Sequence, residues 1–232
     1  DTGLLKVKTE NVGILQIARD VAEEVDIDGS RLPLTQAAGG LLPGVYYENT
    51  SGTWDVMSYD SSRNFQKNTE LRKRHNLQGP IDDASMGPFV CVKGTSEPWS
   101  KPQADWASWT LDRFTAEFDK WFRGQPPIVD DGDLTNEMML EKNLILFGDP
   151  GSNSVLAKIA ARLPVRWTKT AIEVFGEKYE PATHGVSLIY PNPLSPRKYV
   201  VVNSGHTFHA ADFEKSNAWL FPRLGDIAVQ KF

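Results

Sequence analysis

An apolar run, Leu144 to Phe147, stops at Gly148-Asp149-Pro150-Gly151-Ser152-Asn153, and an amphipathic run begins at once with Ser154. This order of patterns predicts a buried strand feeding a helix. Val155, Ile159 and Leu163 recur at helical spacing, with Leu156 and Ala160 beside them, so one helix face is apolar. Ser152 or Asn153 is the predicted cap. In an open α/β sheet such a turn lies at the carboxyl edge of the strands, where ligands bind. The free N–H groups of the helix start suit an anion.

The chain before this stretch falls into two kinds of pattern. Residues 1–60 read as a small antiparallel β subdomain: Leu5, Val7, Val12, Ile14, Ile17 and then Val25 and Ile27 mark strand positions. Asp28-Gly29 is a hairpin turn, and a second hairpin joins the strands around Tyr46 and Trp54 across Asn49-Thr50-Ser51-Gly52. From Ser58 the chain turns polar, and residues 61–79 are expected to be a linker.

Residues 80–232 read as an α/β sandwich domain. Phe89-Val90-Cys91-Val92 is its first strand. After Pro102, Trp106, Trp109, Leu111, Phe114, Phe118, Trp121 and Phe122 follow helical spacing up to Gly124, and core packing is the plain account of these aromatics. Beyond the central unit come a small hairpin at Gly176-Glu177, strands at Gly185–Tyr190 and Tyr199–Val202, a short helix over 208–217, and a last strand at Asp226–Val229. The Pro191–Pro196 link is too short for a helical crossover, so the strands it joins are expected to be antiparallel neighbours. The fold class that follows is α/β, with a mixed, mostly parallel Rossmann/flavodoxin-like sheet carrying helices on both faces.

Composition narrows the function classes. The chain has 232 residues, 40% hydrophobic and 24% charged, and a net charge of −5. No basic excess exists to displace counterions, so nucleic acid is not an expected partner. Arg72-Lys73-Arg74-His75 is a lone basic cluster that a solvated linker explains. The single cysteine, Cys91, rules out an intrachain disulfide and a cysteine-based zinc site, and its apolar strand predicts a buried thiol. No apolar run is long enough for a membrane span. The chain starts at Asp1 without Met, so a processed chain or a piece of a longer protein is expected.

Candidate chemistry gathers at predicted strand ends. The ligand-binding candidates are Asp149, Gly151, Ser152 and Asn153 after one strand, and Asn203, Ser204 and His206 after another. Gly151 would let a ligand approach the backbone. The two polar bends, from Gly148 and from Asn203, are expected to meet above one sheet and form a shared concavity. No Gly-x-Ser-x-Gly elbow, P-loop or Gly-x-Gly-x-x-Gly fingerprint occurs, so no catalytic residue, metal or cofactor is assigned. A triad from Ser152 or Ser204, His206 or His209, and Asp149 stays open, since triads are defined by geometry. Metal ligation by His206 and His209 with Asp149 or Asp212 also stays open, with loop-fixing histidines as the plainer account. The acidic run Asp130-Asp131-Gly132-Asp133 lacks the full ligand set of a calcium loop and is better explained by a helix start near Thr135.

Five motifs carry a resemblance. Gly79-Pro80-Ile81-Asp82-Asp83-Ala84, Asp119-Lys120-Trp121-Phe122-Arg123-Gly124, Leu146–Asn153, Tyr190-Pro191-Asn192-Pro193 and Asn203-Ser204-Gly205-His206-Thr207-Phe208 resemble the C-terminal region of large bacterial prolyl-oligopeptidase-like proteins. Those are secreted α/β-hydrolases, and their catalytic domain precedes a region like this one. The resemblance spans roughly residues 5–230. It implies a secreted or periplasmic accessory region whose partner is an upstream hydrolase domain, and whose ligand is a peptide or small polar molecule. The family's serine elbow has no counterpart here. The favoured expectation is thus a non-catalytic accessory or substrate-binding region. The alternative is an independent hydrolase using Ser152 or Ser204 with His206 or His209.

Overall fold

The computed structural model describes residues 3–34, 44–208, 210–214 and 221–232. The chain divides into two compact units, Asp1–Asn68 and Thr69–Phe232.

The first unit holds strands β1 (Leu4–Val7), β2 (Ile14–Ala18), β3 (Glu24–Ile27), β4 (Ser30–Pro33), β5 (Gly44–Thr50) and β6 (Thr53–Val56), then helix α1 (Tyr59–Lys67). They form two three-stranded sheets, β1-β3-β4 and β2-β5-β6. The pairs differ from an all-antiparallel expectation at one place: β1 and β3 run parallel. The reason is that β2 pairs with β5 in the other sheet, so the chain returns to β1 in its original direction. The Asp28-Gly29 turn has φ of 51° and 91°, and Ser51-Gly52 has 55° and 91°. Two successive positive φ values match the right-handed twist of the flanking strands. Val25, Ile27, Leu34, Val45, Tyr47 and Trp54 make the core. The expected linker begins instead as α1. Ser58 caps it by accepting from Ser61 N at 3.1 Å, and Gln66 donates to the Tyr46 hydroxyl at 2.7 Å.

The second unit contains β7 (Phe89–Lys93), α2 (Lys101–Phe122), β8 (Ile128–Asp130), α3 (Asn136–Glu141), β9 (Asn143–Phe147), α4 (Ser154–Ile159), β10 (Arg166–Trp167), β11 (Ile172–Val174), β12 (Glu177–Tyr179), β13 (His184–Asn192), β14 (Ser195–Val202) and β15 (Ile227–Lys231). One six-stranded sheet has the order β15-β13-β14-β9-β7-β8. Its pairs β14-β9, β9-β7 and β7-β8 are parallel, whereas β13 is antiparallel to both neighbours. The class is therefore mixed α/β, with few helices. The two-residue connection from β13 to β14 forces the antiparallel pairing expected of that short link.

Strand β9 is buried along its whole length, which its unbroken apolar run requires. Leu144 and Leu146 join a cluster with Val155, Leu156 and Ile159 of α4. Ile145 and Phe147 join another with Leu111 and Phe114 of α2. Alternate residues of one strand thus pack on helices from opposite faces. The aromatic stripe of α2 is only partly core: Phe114 is buried, but Trp109 and Phe122 are about 60% exposed. The helix ends on Arg123 at φ 54°, one residue before the glycine expected to close it. A third small sheet, β10-β11-β12, follows α4. A short 3-10 helix occupies Ala210–Glu214; the rest of the helix expected over 208–217 lies partly outside the described residues.

Candidate functional site

In the six-stranded sheet β7 lies between β8 and β9, so the chain direction of travel across the sheet reverses there. The crevice beyond the carboxyl ends of β7 and β9 is where such sheets bind ligands. Here it is filled by the chain itself. A side-chain carbon on Gly94, after β7, would stand 2.7 Å from the Ser152 carbonyl oxygen. Ser96 N donates to that same carbonyl at 2.9 Å.

The two polar bends meet. Gly148 N donates to Asn203 Oδ1 and Asn203 Nδ2 donates to the Gly148 carbonyl, both at 2.8 Å. Asn203 sits at φ 44°, a left-handed conformation that Asn tolerates better than most residues. Gly148 is at φ 126°, and a side chain there would collide with Ser152 Oγ. This residue pair locks the ends of β9 and β14 together.

Asn153 is fully buried and uses its whole amide. Its Oδ1 accepts from Val155 N and Leu156 N at 3.1 and 3.0 Å, capping α4. Its Nδ2 donates to the carbonyls of Val92 and Phe147 at 3.0 and 3.1 Å, bridging the ends of β7 and β9. Asp149 accepts from Gly151 N, Ser152 N and Trp99 N at 2.8–2.9 Å. Ser152 Oγ lies within the same turn, accepting from Asp149 N at 2.9 Å.

The anion expected at the start of α4 is a residue of this chain. Asp131, in the loop after β8, accepts from Ser154 N at 2.7 Å and from Thr95 N and Oγ1 at 3.1 and 2.7 Å. Burial pushes its carboxyl up, but the hydrogen bonds from Ser154 and Thr95 outweigh burial and hold it below the ordinary value. Thr135 caps α3 by accepting from Met138 N, and the acidic residue of that first turn is Glu137, whereas Asp131 of the acidic run serves α4.

Ser204 and His206 stand apart from this network. Ser204 Oγ donates to the Gly205 carbonyl at 3.3 Å. The His206 ring is 8% exposed and lies among Phe114, Phe118, Phe122 and Phe208, with ring centroids 5.1–6.0 Å away. Its Nδ1 is 3.8 Å from Asp82 Oδ1, and neither ring nitrogen has a hydrogen-bond partner among the described residues. Neither Ser152 nor Ser204 is therefore bonded to this imidazole. His209 lies outside the described residues. Asp82 accepts from Thr207 N at 2.8 Å, and Asp83 accepts from the Tyr199 hydroxyl. No group of three His, Cys, Asp or Glu side chains suited to a metal occurs among the described residues. Burial pushes the Cys91 thiol up to about 12, so it is a poor nucleophile.

An open groove of about 880 Å³ lies beside this edge. Trp99 and Pro150 line it on the side of the carboxyl edge, Ala157 and Ala161 on the side of α4, and Arg166 and Trp167 on β10. Trp99 reaches it because of the edge. Its N–H is held by Asp149, and its ring lies so close to Gly151 that a side-chain carbon there would be 2.3 Å away. The residues singled out in sequence thus position an aromatic wall. Trp167 is 8% exposed, and its indole Nε1 has no acceptor among the described residues. A buried N–H without a partner costs about 1–3 kcal/mol.

The chain matches no family model, no curated protein and no solved structure. Its function must therefore be argued from the residues themselves. No helix among the described residues is long and apolar enough to cross a membrane. Sequence reasoning missed Trp99, Trp167 and the groove. Trp167 sits in the short segment Val165-Arg166-Trp167, which has too few residues to show a strand period.

Proposed function

We propose that this chain is a non-catalytic accessory region that binds a ligand in the groove lined by Trp99 and Trp167. The carrying observation is the contrast between an aromatic groove open to solvent and a neighbouring edge whose polar side chains already serve one another. Aromatic walls with a few polar groups are the usual make-up of a binding cleft. The motif resemblance to secreted bacterial prolyl-oligopeptidase-like proteins adds the setting: an upstream α/β-hydrolase domain as partner, outside the cytoplasm. In the same reading, the four parallel strands with α2 and α4 on opposite faces are a shortened Rossmann/flavodoxin-like arrangement.

The test has two arms. The purified chain is treated with a fluorophosphonate probe and a panel of esters and aminopeptidase substrates. No labelling and no turnover are expected. Labelling of Ser152 or Ser204 would replace this reading with that of an independent hydrolase. In the second arm the full open reading frame is examined for an upstream Gly-x-Ser-x-Gly domain, and its absence would remove the accessory setting.

A further inference from the structure

Resting on the binding-region reading, we infer that the groove receives an acidic peptide segment carrying an apolar or aromatic side chain. Three observations converge on it. First, the small sheet presents a row of charges. Arg166 pairs across with Glu173, and Glu173 with Lys178, so the three stand side by side on one face of β10-β11-β12. Both cations share the one carboxylate, at 3.5 and 3.3 Å, and both are nearly three-quarters exposed. One positive charge is left over at the groove.

Second, that surplus extends along the chain. Residues 154–178 carry Lys158, Arg162, Arg166, Lys169 and Lys178 against only Glu173 and Glu177, five cations to two carboxylates. The whole chain has a net charge of −5, so this segment is a cationic island in an acidic protein. Such a field draws an acidic partner and repels a basic one.

Third, the lining limits the class of ligand. Apolar lining by Pro150, Ala157 and Ala161 suits a side chain better than a sugar-phosphate backbone, and a net charge of −5 disfavours a polyanion of many phosphates.

The β11–β12 turn points the same way. Phe175 and Gly176 have φ of 51° and 86°, and Phe175 is 83% exposed beside Gly176 of the groove lining. Asn is the favoured residue where Phe175 stands. A bulky aromatic at positive φ is costly to the fold, and this one stands exposed beside the groove.

The experiment uses the whole chain and fluorescence anisotropy. The probe is a short fluorescein-labelled peptide of Glu and Asp around one Phe. Peptides of equal length with Ser or Lys in place of the acids, and a labelled single-stranded oligonucleotide, run beside it. The acidic peptide is expected to bind, and more weakly as salt rises. Joint Arg166→Glu and Lys178→Glu substitution should weaken it about tenfold or more. Ala161→Trp, at an exposed position, should fill the groove and abolish binding. Phe175→Asn should raise the melting temperature while weakening the peptide, a combination that a purely structural Phe175 would not give.

Equal binding of the Ser peptide, blocked by Ala161→Trp but indifferent to charge reversal, would reject the acidic class and leave the groove as a binding site. Failure of every peptide to bind in a way that Ala161→Trp abolishes would reject the groove as well. Tighter binding of the oligonucleotide would overturn the choice of a peptide.

Discussion

Through one amide, Asn153 makes four hydrogen bonds at the carboxyl edge, and Asn203 makes two with a single residue, Gly148. In the adjoining groove, Arg166 and Lys178 share one carboxylate. The two regions touch through Trp99, whose backbone belongs to the edge and whose ring lines the groove. The difference teaches where unused binding capacity lies. Polar residues such as Asn153 and Asn203 at strand ends are used in joining those ends, while the surface they support keeps an uncompensated positive charge.

The sharpest way to break the comparison is Asn153→Ala. The Val92 carbonyl and the N–H groups of Val155 and Leu156 would lose this partner, while the Phe147 carbonyl keeps Gly94 N, and stability should fall by about 3–5 kcal/mol. Thermal and denaturant unfolding measure it; a loss near zero would mean that the edge is not a structural lock. Asn203→Ala should cost less, about 2–3 kcal/mol, because only Gly148 is left unpaired. Neither effect requires a ligand, and a chain that loses binding without losing stability in these variants would reverse the roles assigned to the two regions.

Asp131 gives a pH handle on the edge. Its carboxyl is held below the ordinary value in the folded chain, so the unfolded chain binds a proton first as pH falls. Its stabilising contribution is full above about pH 4, the ordinary carboxylate range, and is lost as pH falls through the lower folded value. Asp131→Asn should flatten that acid limb and cost about 1–2 kcal/mol at neutral pH. Unfolding curves across the acid range, wild type against variant, check the sign. At the other end of the scale, Lys178→Glu should shift stability by no more than about 0.5 kcal/mol, since the side chain is exposed. A large loss there would mark the charge row as structural.

Much of the edge was legible because its signals are local. The apolar run 144–147, the turn residues after it and the four-residue recurrence beyond specify strand, turn and helix within twenty residues. The meeting of Gly148 and Asn203 followed from placing both at strand ends. What the side chains do there was not legible, because Val92, Asp131 and Trp99 reach Asn153, Ser154 and Asp149 from distant parts of the chain. The same holds for α1: its polar residues give no apolar stripe, and its stability comes from Ser58 and from contacts with Tyr46. The parallel β1–β3 pair depends on β2 leaving for another sheet, which no local pattern encodes.

The carboxylate of Asp131 has one further consequence. It already stands where a phosphoryl group would dock on the first turn of α4, braced by Thr95. Nucleotides and inorganic phosphate would have to evict a tethered competitor of the same sign, so this turn, for all its likeness to a phosphate cradle, is closed to them by the protein's own chain.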